Sequence, residues 1–306
     1  MPLAVMLRSM AANLCPRRRV DVQIVADGLD CDLRARVSSA LPPNVSVHWT
    51  APQRAGFVEL PLWGRMTIST YDKLALGRWL PSSVARALWL DCDLLVLDDV
   101  AKLWETPNGP HCVLAAQDGL VRTFGARFGV AGRHEMRIDN GAEYFNAGVM
   151  LIDVARWRDE DVAGRALAYL QKHRREVFFW DQEALNAALA GNWGKLDPRW
   201  NWSPGSTMAS DLSPSIIHFT GGLKPWRLEG HSARQKLYYQ YLDATAWAGW
   251  RPARNWRSML LSHYEGSRLR SALFPLECFK MKVERAMTLR YVTADPASGP
   301  LEKVVN

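Results

Sequence analysis

The chain has 306 residues, of which 48% are hydrophobic, so it can form one large core with a modest appendage or two small domains. The formal net charge is +7, but residues 251–291 hold nine Lys or Arg against three Asp or Glu, which places +6 of the excess there. The rest of the chain is therefore close to neutral. Together with the absence of a basic and aromatic recognition motif, this argues against a nucleic-acid-binding module.

Cysteine usage and hydropathy favour a cytoplasmic protein. The cysteines are five, an odd number, and none has CxxC spacing, which disfavours a disulfide framework and a zinc site. They are Cys15, Cys31, Cys92, Cys112 and Cys278. No run approaches ~18 uncharged apolar residues, and no basic stretch precedes the first apolar residues. We therefore expect neither export nor a membrane span.

The composition divides the chain into a body at residues 1–248 and a basic, Trp-rich, helical tail at residues 249–306. In the tail, arginines alternate with apolar side chains such as Trp250, Trp256 and Leu260. This pattern suits peripheral contact with an anionic membrane surface, here the inner face of the cell membrane. An ordinary solvated helix explains the pattern equally well.

Hydrophobic periodicity predicts helices at 3–13, 30–40 and 70–80 and strands at 20–26, 45–49 and 87–90. In the second half it predicts strands at 112–116, 149–152 and 215–219, with helices near 162–170 and from about Asp181 onward. This alternation is typical of an α/β fold with a mixed, mostly parallel sheet between helices. Residues 120–143 lack a period and are expected to form a long loop, which in compact domains is usually functional or mobile.

A pair of carboxylates follows the apolar strand predicted at 87–90. Asp91 and Asp93 come at its carboxyl end, where open α/β sheets bind their ligands. Alternation along an extended chain points both side chains the same way, roughly 7 Å apart. Two such carboxylates can hold Mn²⁺ or Mg²⁺, which in turn binds a diphosphate. Asp after a strand is also a common turn former, so the pair alone is a weak signal.

A second enzymatic interpretation is the haloacid-dehalogenase phosphatase pattern, in which the first Asp of such a pair is a nucleophile. Leu95 occupies the place where that pattern has Thr or Val. The acidic residues Asp98 and Asp99 lie too near in sequence to complete its metal site, and they are expected to form a turn before a short helix. The sequence therefore disfavours a phosphatase.

The segment IIHFTGGLKPW, residues 216–226, combines a strand with a metal ligand, a glycine turn and a cation. A neutral imidazole at His218 can complete a site with two carboxylates. Glycine lets backbone N–H groups approach phosphate oxygens, and Lys224 can neutralise charge on a leaving group. A core histidine followed by a plain turn is the alternative, but the nearby Lys224 and the Asp pair favour a functional site.

Five motifs in this order resemble those of the family 8 glycosyltransferases, a retaining group. The motifs are TYDKLALGRWLP, ALWLDCDLLV, EYFNAGVMLID, WDQEALN and HFTGGLKPW. They extend from Thr70 to Trp226, about half of the chain, and their combination is far more specific than any one of them. The resemblance implies a GT-A fold, a UDP-sugar donor, a glycan or glycolipid acceptor such as lipopolysaccharide, and Mn²⁺ or Mg²⁺ held by Asp91, Asp93 and His218.

The same resemblance assigns residues to the donor site. They are Lys73, Asp91, Cys92, Asp93, Asn146, Ala147, Asp181, Gln182, His218, Gly221 and Lys224. At Lys73 many relatives carry Arg, and an ammonium lacks the bidentate fork of a guanidinium. This departure weakens the expected contact with sugar or phosphate without excluding it.

The resemblance also implies catalytic roles for Asp181, Gln182 and Lys224. Lys224 would stabilise the departing UDP, Asp181 would bind donor hydroxyls, and Gln182 would lie beside the reacting carbon. Because Gln182 is a poor nucleophile, we expect front-face attack by the acceptor hydroxyl rather than double displacement. Three of the assigned residues also have a structural alternative: Asp181 as a helix cap, Gln182 as a solvated polar residue, and Asn146 as part of a strand entry.

Two further expectations come from comparison with the family pattern. Family 8 enzymes begin with a strand that ends in an acidic turn and contacts uridine, whereas this chain starts within the following helix. We therefore expect an additional strand upstream of Met1 or a truncated relative. Among functions, an active hexosyltransferase is favoured over a catalytically inactive protein that binds sugar nucleotides or glycans, and a nucleic-acid-binding protein is the least favoured.

Overall fold

The computed structural model describes residues 1–57, 59–64, 66–203, 213–221, 224–227, 233–252 and Val283. Its α-helices are α1 Pro2–Asn13, α2 Cys31–Ser38, α3 Leu76–Trp79, α4 Val100–Trp104, α5 Val154–Asp159, α6 Val162–Lys172, α7 Trp180–Ala188 and α8 Ala233–Leu242. Two 3₁₀-helices occur at Ile68–Ala75 and Pro198–Asn201. The strands are β1 Val20–Val25, β2 Val45–Thr50, β3 Arg86–Leu90, β4 Leu94–Val96, β5 Val113–Gln117, β6 Phe145–Asp153, β7 Trp193–Lys195 and β8 Ile216–His218.

The strands form one four-stranded sheet, in the order β3-β6-β5-β7, and two strand pairs, β1-β2 and β4-β8. Strands β1 and β2 pair in parallel, as do β5 and β7, whereas β6 is antiparallel to both β3 and β5, and β4 is antiparallel to β8. A mixed α/β fold is thus confirmed. The expectation of mostly parallel pairing is wrong for the described strands, because an apolar run reports burial on both faces and not strand direction.

Strand β6 is the centre of the core, since eight of its nine residues are buried. Met150 and Ile152 face a cluster that includes Leu170 of α6 and Leu185 of α7, while Val149 and Leu151 face the cluster of α1, β1 and β2. This alternation follows the two-residue period of a strand. Apolar surface therefore covers both sides of the sheet and leaves its strand ends for polar groups.

The predicted elements are found with small shifts. The helix expected at 70–80 begins as the 3₁₀-helix Ile68–Ala75 and continues as α3, and the short helix after Asp99 is α4. Asp99 caps α4 by accepting a hydrogen bond from the Ala101 N–H at 2.9 Å. Residues 120–143 contain turns and one isolated bridge, Thr123 to Glu143, and no helix or strand, as a long loop should.

Several sequence predictions stay untested. The helical tail at 249–306 lies outside the described residues except for 249–252 and Val283. The strand expected upstream of Met1 also remains a prediction; among the described residues, the second edges of β1 and β3 have no strand partner.

Two findings concern the cysteines and the helices of the described residues. Cys15, Cys31, Cys92 and Cys112 are free thiols. No described helix combines the length and apolar character needed to cross a bilayer.

Helix α1 is joined to β4 by a buried hydroxyl. The Val96 N–H donates to Ser9 Oγ at 3.0 Å, and that hydroxyl donates to the Met6 carbonyl at 2.8 Å. We expect Ser9→Ala to lower the free energy of unfolding by about 1–3 kcal/mol, because the buried Val96 N–H loses its acceptor. Urea unfolding measures the change. Ser39→Ala, at an exposed hydroxyl, is the control, and an equal loss in both variants would contradict this role of Ser9.

Candidate active site

The two aspartates of the DCD segment lie between β3 and β4, opposite a glycine of β6. The Asp91 N–H donates to the Gly148 carbonyl at 2.9 Å, and Asp93 accepts through its carbonyl from the Phe219 N–H at 3.1 Å. Strand β8 pairs with β4 so that His218 stands opposite Leu94. Backbone pairing therefore brings His218, 125 positions later in the chain than Asp93, to the aspartate pair.

The three expected metal ligands converge. One ligand atom each from Asp91, Asp93 and His218 lies within 4.8 Å of the others, and His218 Nε2 is 3.2 Å from Asp93 Oδ1. Two carboxylate oxygens and an imidazole nitrogen form a donor set that suits Mn²⁺ or Mg²⁺. Gly148 makes room for this arrangement, because a Cβ at that position would overlap the His218 ring. The residues present therefore fit a divalent cation.

A buried lysine connects the aspartate pair to α7. Lys73 Nζ lies 3.2 Å from Asp91 Oδ1, 2.9 Å from Asp181 Oδ2 and 3.2 Å from the Ala147 carbonyl oxygen. An ammonium has three protons, so these three acceptors use all of them. Burial alone would lower the pKa of Lys73, but Asp181 and Asp91 outweigh it, and the net pKa is raised.

The two aspartates have opposite pKa shifts although they are neighbours. For Asp91, burial raises the pKa, and the attraction of Lys73 offsets only part of that change. For Asp93, burial also acts to raise the pKa, but His218 and Lys224 outweigh it and hold the pKa below its ordinary value. The Lys224 ammonium contacts both Asp93 Oδ2 and the Phe219 carbonyl.

The charges of this cluster favour a cation. Three carboxylates, of Asp91, Asp93 and Asp181, face two ammonium groups, of Lys73 and Lys224, which leaves one negative charge when the imidazole is neutral. A divalent cation would reverse this excess and draw an anionic diphosphate toward Lys224. The cluster can therefore assemble both a metal and a phosphate-bearing substrate.

Helix α7 carries Asp181 and Gln182 toward the cluster. The N-cap of α7 is Phe179 with no side-chain cap, so capping does not account for Asp181, whose Oδ1 accepts from Thr70 Oγ1 at 2.5 Å. Gln182 Oε1 accepts from the Ala147 N–H at 3.1 Å, and its Nε2 donates to Asp118 Oδ2 at 3.3 Å. Both ends of the Gln182 amide are therefore held in place.

Asp118 is fully engaged as an acceptor. Its Oδ1 accepts from the N–H groups of Leu120 and Val121, at 2.8 and 2.7 Å, and its Oδ2 accepts from Gln182 and from Asn146 Nδ2, the latter at 2.7 Å. A carboxylate offers about four such positions. Asp118 thus organises the site and has little capacity left to act as a nucleophile.

The long loop is attached to α7 by Glu183, which is 0% exposed. Its carboxylate accepts from the N–H groups of Ala131, Phe178 and Phe179 at 3.0, 2.6 and 3.2 Å, and from Tyr169 Oη at 2.7 Å. Burial raises its pKa, although these hydrogen bonds lower it in part. Loop 120–143 therefore lies beside the helix that presents Gln182.

The remaining sequence-predicted positions are at the rim or in the backbone. Cys92 is exposed between the two aspartates, and Gly221 follows β8 with φ of 71°, a conformation that glycine adopts without strain. The Ala147 backbone binds Lys73 and Gln182. No sequence pattern pointed to Asn201, whose side chain contacts both His218 and Asn146 at 2.9 Å.

Comparison with known proteins agrees with this geometry. Residues 11–230 match the sequence profile of glycosyl transferase family 8. General stress protein A of Bacillus subtilis is 27% identical over 265 residues, which cover 79% of this chain and 88% of that protein. A probable galacturonosyltransferase-like 3 of Arabidopsis thaliana is 28% identical over 236 residues, 69% of this chain and 66% of the relative.

Solved structures resemble the fold at lower identity. The galactosyltransferase LgtC in complex with donor and acceptor sugar analogs matches with a TM-score of 0.70 and 23% identity, over 80% of this chain and 91% of that one. Mouse xyloside xylosyltransferase 1 matches with a TM-score of 0.53 and 16% identity, over 72% and 91%.

The fold is of the GT-A type that the galactosyltransferase LgtC has. Within glycosyltransferases of this fold, the chain belongs to glycosyl transferase family 8, whose profile matches most of its length. The predicted family, GT-A fold and enzyme class are confirmed.

Gly148 offers a test of the site geometry. We expect Gly148→Ala to weaken divalent-cation binding by about 10–100-fold, because the added Cβ displaces His218 from the aspartates. Calorimetric titration with Mn²⁺ measures the effect. Gly141→Ala is the matched control, since its Cβ would meet only Asp139 Oδ1, at an ordinary 3.4 Å. Unchanged affinity in Gly148→Ala would contradict the assigned position of His218.

Proposed function

We propose that the protein is a retaining hexosyltransferase that moves glucose or galactose from a UDP-sugar to lipopolysaccharide or another cell-surface glycan, with Mn²⁺ as cofactor. The observation that carries the proposal is the convergence of Asp91, Asp93 and His218 within 4.8 Å, with Lys224 on the second oxygen of Asp93. Family membership supports a nucleotide-sugar donor. LgtC, whose fold this chain resembles, is a galactosyltransferase studied with donor and acceptor sugar analogs.

Both the cation and Lys224 would stabilise the negative charge of the leaving diphosphate. Asp91, Asp93 and His218 would hold a divalent cation, which would supply Lewis-acid stabilisation of negative charge on the diphosphate. Lys224 lies at the same carboxylate, where its ammonium can turn to a phosphate oxygen as charge develops there. In this proposal the chain itself supplies one positive charge and the cation the rest.

The side chains around Gln182, where the donor sugar is expected, favour front-face attack. In the family pattern Gln182 is expected beside the reacting carbon of the sugar, and an amide cannot form the glycosyl ester that a double displacement requires. The neighbouring carboxylate of Asp118 has its acceptor positions taken by four donors. We infer that the acceptor hydroxyl attacks the anomeric carbon as the bond from that carbon to UDP breaks, and that the hydroxyl proton passes to the departing phosphate oxygen. Gln182 would stabilise the cationic sugar, and Asp181 would hold a donor hydroxyl through its unused lone pairs.

The acceptor is expected on the side of loop 120–143. The loop starts two residues after Asp118, which contacts Gln182, and it is attached to α7 through Glu183. An acceptor bound against this loop would approach the reacting carbon beside Gln182. The loop is therefore the first place to look for acceptor specificity.

The test is a screen of UDP-glucose, UDP-galactose and other nucleotide sugars, with and without Mn²⁺, scored by UDP release. We expect turnover that needs Mn²⁺ and that falls about 10²-fold or more in Asp93→Asn, because a charged ligand is lost. Asp21→Asn, at a carboxylate whose side chain is 77% exposed, is the control and should keep full turnover.

Two results would count against the proposal. Near-normal turnover by Asp93→Asn would contradict the assigned metal site. UDP binding without turnover of any donor would favour the alternative, a catalytically inactive sugar-nucleotide or glycan-binding protein.

A second part of the proposal is peripheral membrane contact through the tail. It is motivated by the +6 charge of residues 251–291 and their interleaved aromatic side chains. A variant that ends at Trp250 should lose binding to anionic vesicles but keep UDP-sugar hydrolysis in solution. Vesicle flotation with neutral vesicles as the control measures this. Equal binding by the full-length and shortened proteins would contradict membrane contact through the tail.

A further inference from the structure

A row of hydrogen-bonded, buried polar side chains links Asp118, which contacts Gln182 at the expected sugar end of the site, to His218 at the expected metal end. Its four members are at most 7% exposed: Asp118, Asn146, Asn201 and His218. Asn146 Nδ2 is 2.7 Å from Asp118 Oδ2, Asn201 Nδ2 is 2.9 Å from Asn146 Oδ1, and His218 Nδ1 is 2.9 Å from Asn201 Oδ1. The row ends at His218 Nε2, 3.2 Å from Asp93 Oδ1.

The direction of every hydrogen bond in this row is determined at Asp118, its first member. The carboxylate of Asp118 already accepts from two backbone N–H groups and from Gln182 Nε2, so the amide nitrogen of Asn146 must face it. The opposite end of Asn146, its Oδ1, also accepts from the Gly148 backbone N–H at 3.0 Å, which can only donate. Two independent partners thus fix the orientation of Asn146.

The same logic continues to the imidazole. Because Asn146 presents an oxygen, Asn201 must donate its amide nitrogen there and turn its own oxygen toward His218. An amide oxygen cannot donate, so His218 Nδ1 must carry the proton. In a neutral imidazole this leaves the lone pair on Nε2, the nitrogen that faces the aspartates.

The backbone holds Asn201 in register with His218. Asn201 ends the 3₁₀-helix Pro198–Asn201, and the next residue, Trp202, pairs with β8: its N–H donates to the Ile216 carbonyl at 2.9 Å and its carbonyl accepts from the His218 N–H at 2.7 Å. The side chains of Asn201 and His218 therefore start from fixed positions.

We infer that Asn201 is a positioning residue that holds the imidazole of His218 in the Nδ1–H form and so presents Nε2 to the cation. The inference deepens the proposed function at the same site and rests on it. Without Asn201, the favoured form is the one in which Nε2 carries the proton and donates it to Asp93 Oδ1, which withdraws the ligand atom. Partners of this kind orient metal-ligating histidines and determine their ligand nitrogen.

Two variants separate the acceptor of Asn201 from its donor. Asn201→Ala removes both, and we expect Mn²⁺ affinity to fall about 10–100-fold. Asn201→Asp keeps an oxygen for Nδ1–H but has no amide nitrogen for Asn146, so Mn²⁺ affinity stays close to that of the wild type while kcat falls. Asn192→Ala is the matched control, since Asn192 is a partly buried asparagine with partners elsewhere, Glu160 and the Cys112 N–H, and should change neither quantity.

The ring form is measured directly, on protein without metal, from the ¹⁵N chemical shifts of His218 at a pH where the imidazole is neutral. We expect the Nδ1–H form in the wild type and in Asn201→Asp, and a population of the Nε2–H form in Asn201→Ala. This readout needs no turnover, so it remains decisive if the proposed transferase activity fails, and the wild-type spectrum suffices if Asn201→Ala does not fold.

An Nε2–H ring in the wild type would overturn the inference. So would wild-type Mn²⁺ affinity in a folded Asn201→Ala variant, or an equal loss of affinity in Asn201→Asp and Asn201→Ala. If instead the ring result holds and no donor turns over, the proposed function fails while the role of Asn201 stands.

Discussion

The site depends on one buried cation, the ammonium of Lys73. It neutralises carboxylates that arrive from two different parts of the chain, Asp91 after β3 and Asp181 on α7, and it also binds the Ala147 carbonyl of β6. Taking these charges out of water costs several kcal/mol per ion, and their mutual attraction with saturated hydrogen bonding offsets that cost. Removal of Lys73 would leave two adjacent carboxylates without a shared counter-ion. Lys73 therefore holds Asp91, an expected metal ligand, close to Asp181, an expected sugar ligand.

A lysine suits this role for a geometric reason. Its three protons point in three directions and meet acceptors on three different residues, whereas the planar fork of arginine suits two parallel oxygens of one carboxylate or phosphate. A lysine at this position thus fits an internal positioning role. The expected direct contact of Lys73 with the donor stays a prediction, since its protons are already engaged in the structure.

Polar order extends beyond the charged cluster. Gln182, Asp118, Asn146, Asn201 and His218 are joined by hydrogen bonds whose donors and acceptors alternate without conflict, and all but Gln182 are buried. In a low-dielectric interior such a network holds its members rigidly, and an unpaired member would be costly. Rigid dipoles near a reacting centre need no reorganisation when charge develops, which is the property that transferase chemistry at a diphosphate requires. Loop 120–143 is attached to the same framework through Glu183, so acceptor and donor sides share one support.

Local pattern in the sequence was sufficient for the order of helices and strands, for the Asp91 and Asp93 pair at a strand end, and, through the motif resemblance, for His218 as their partner. These features depend on residues close in sequence or on motifs that occur together in one family. Strand direction was not readable, because an apolar run looks the same whichever way the strand pairs, and the antiparallel pairing of β3 with β6 therefore left no local signal. The three partners of Lys73 and the role of Asn201 were likewise decided only by tertiary structure. Their contacts join residues from 17 to 108 positions apart, and an asparagine between two tryptophans carries no mark of the histidine that it will orient.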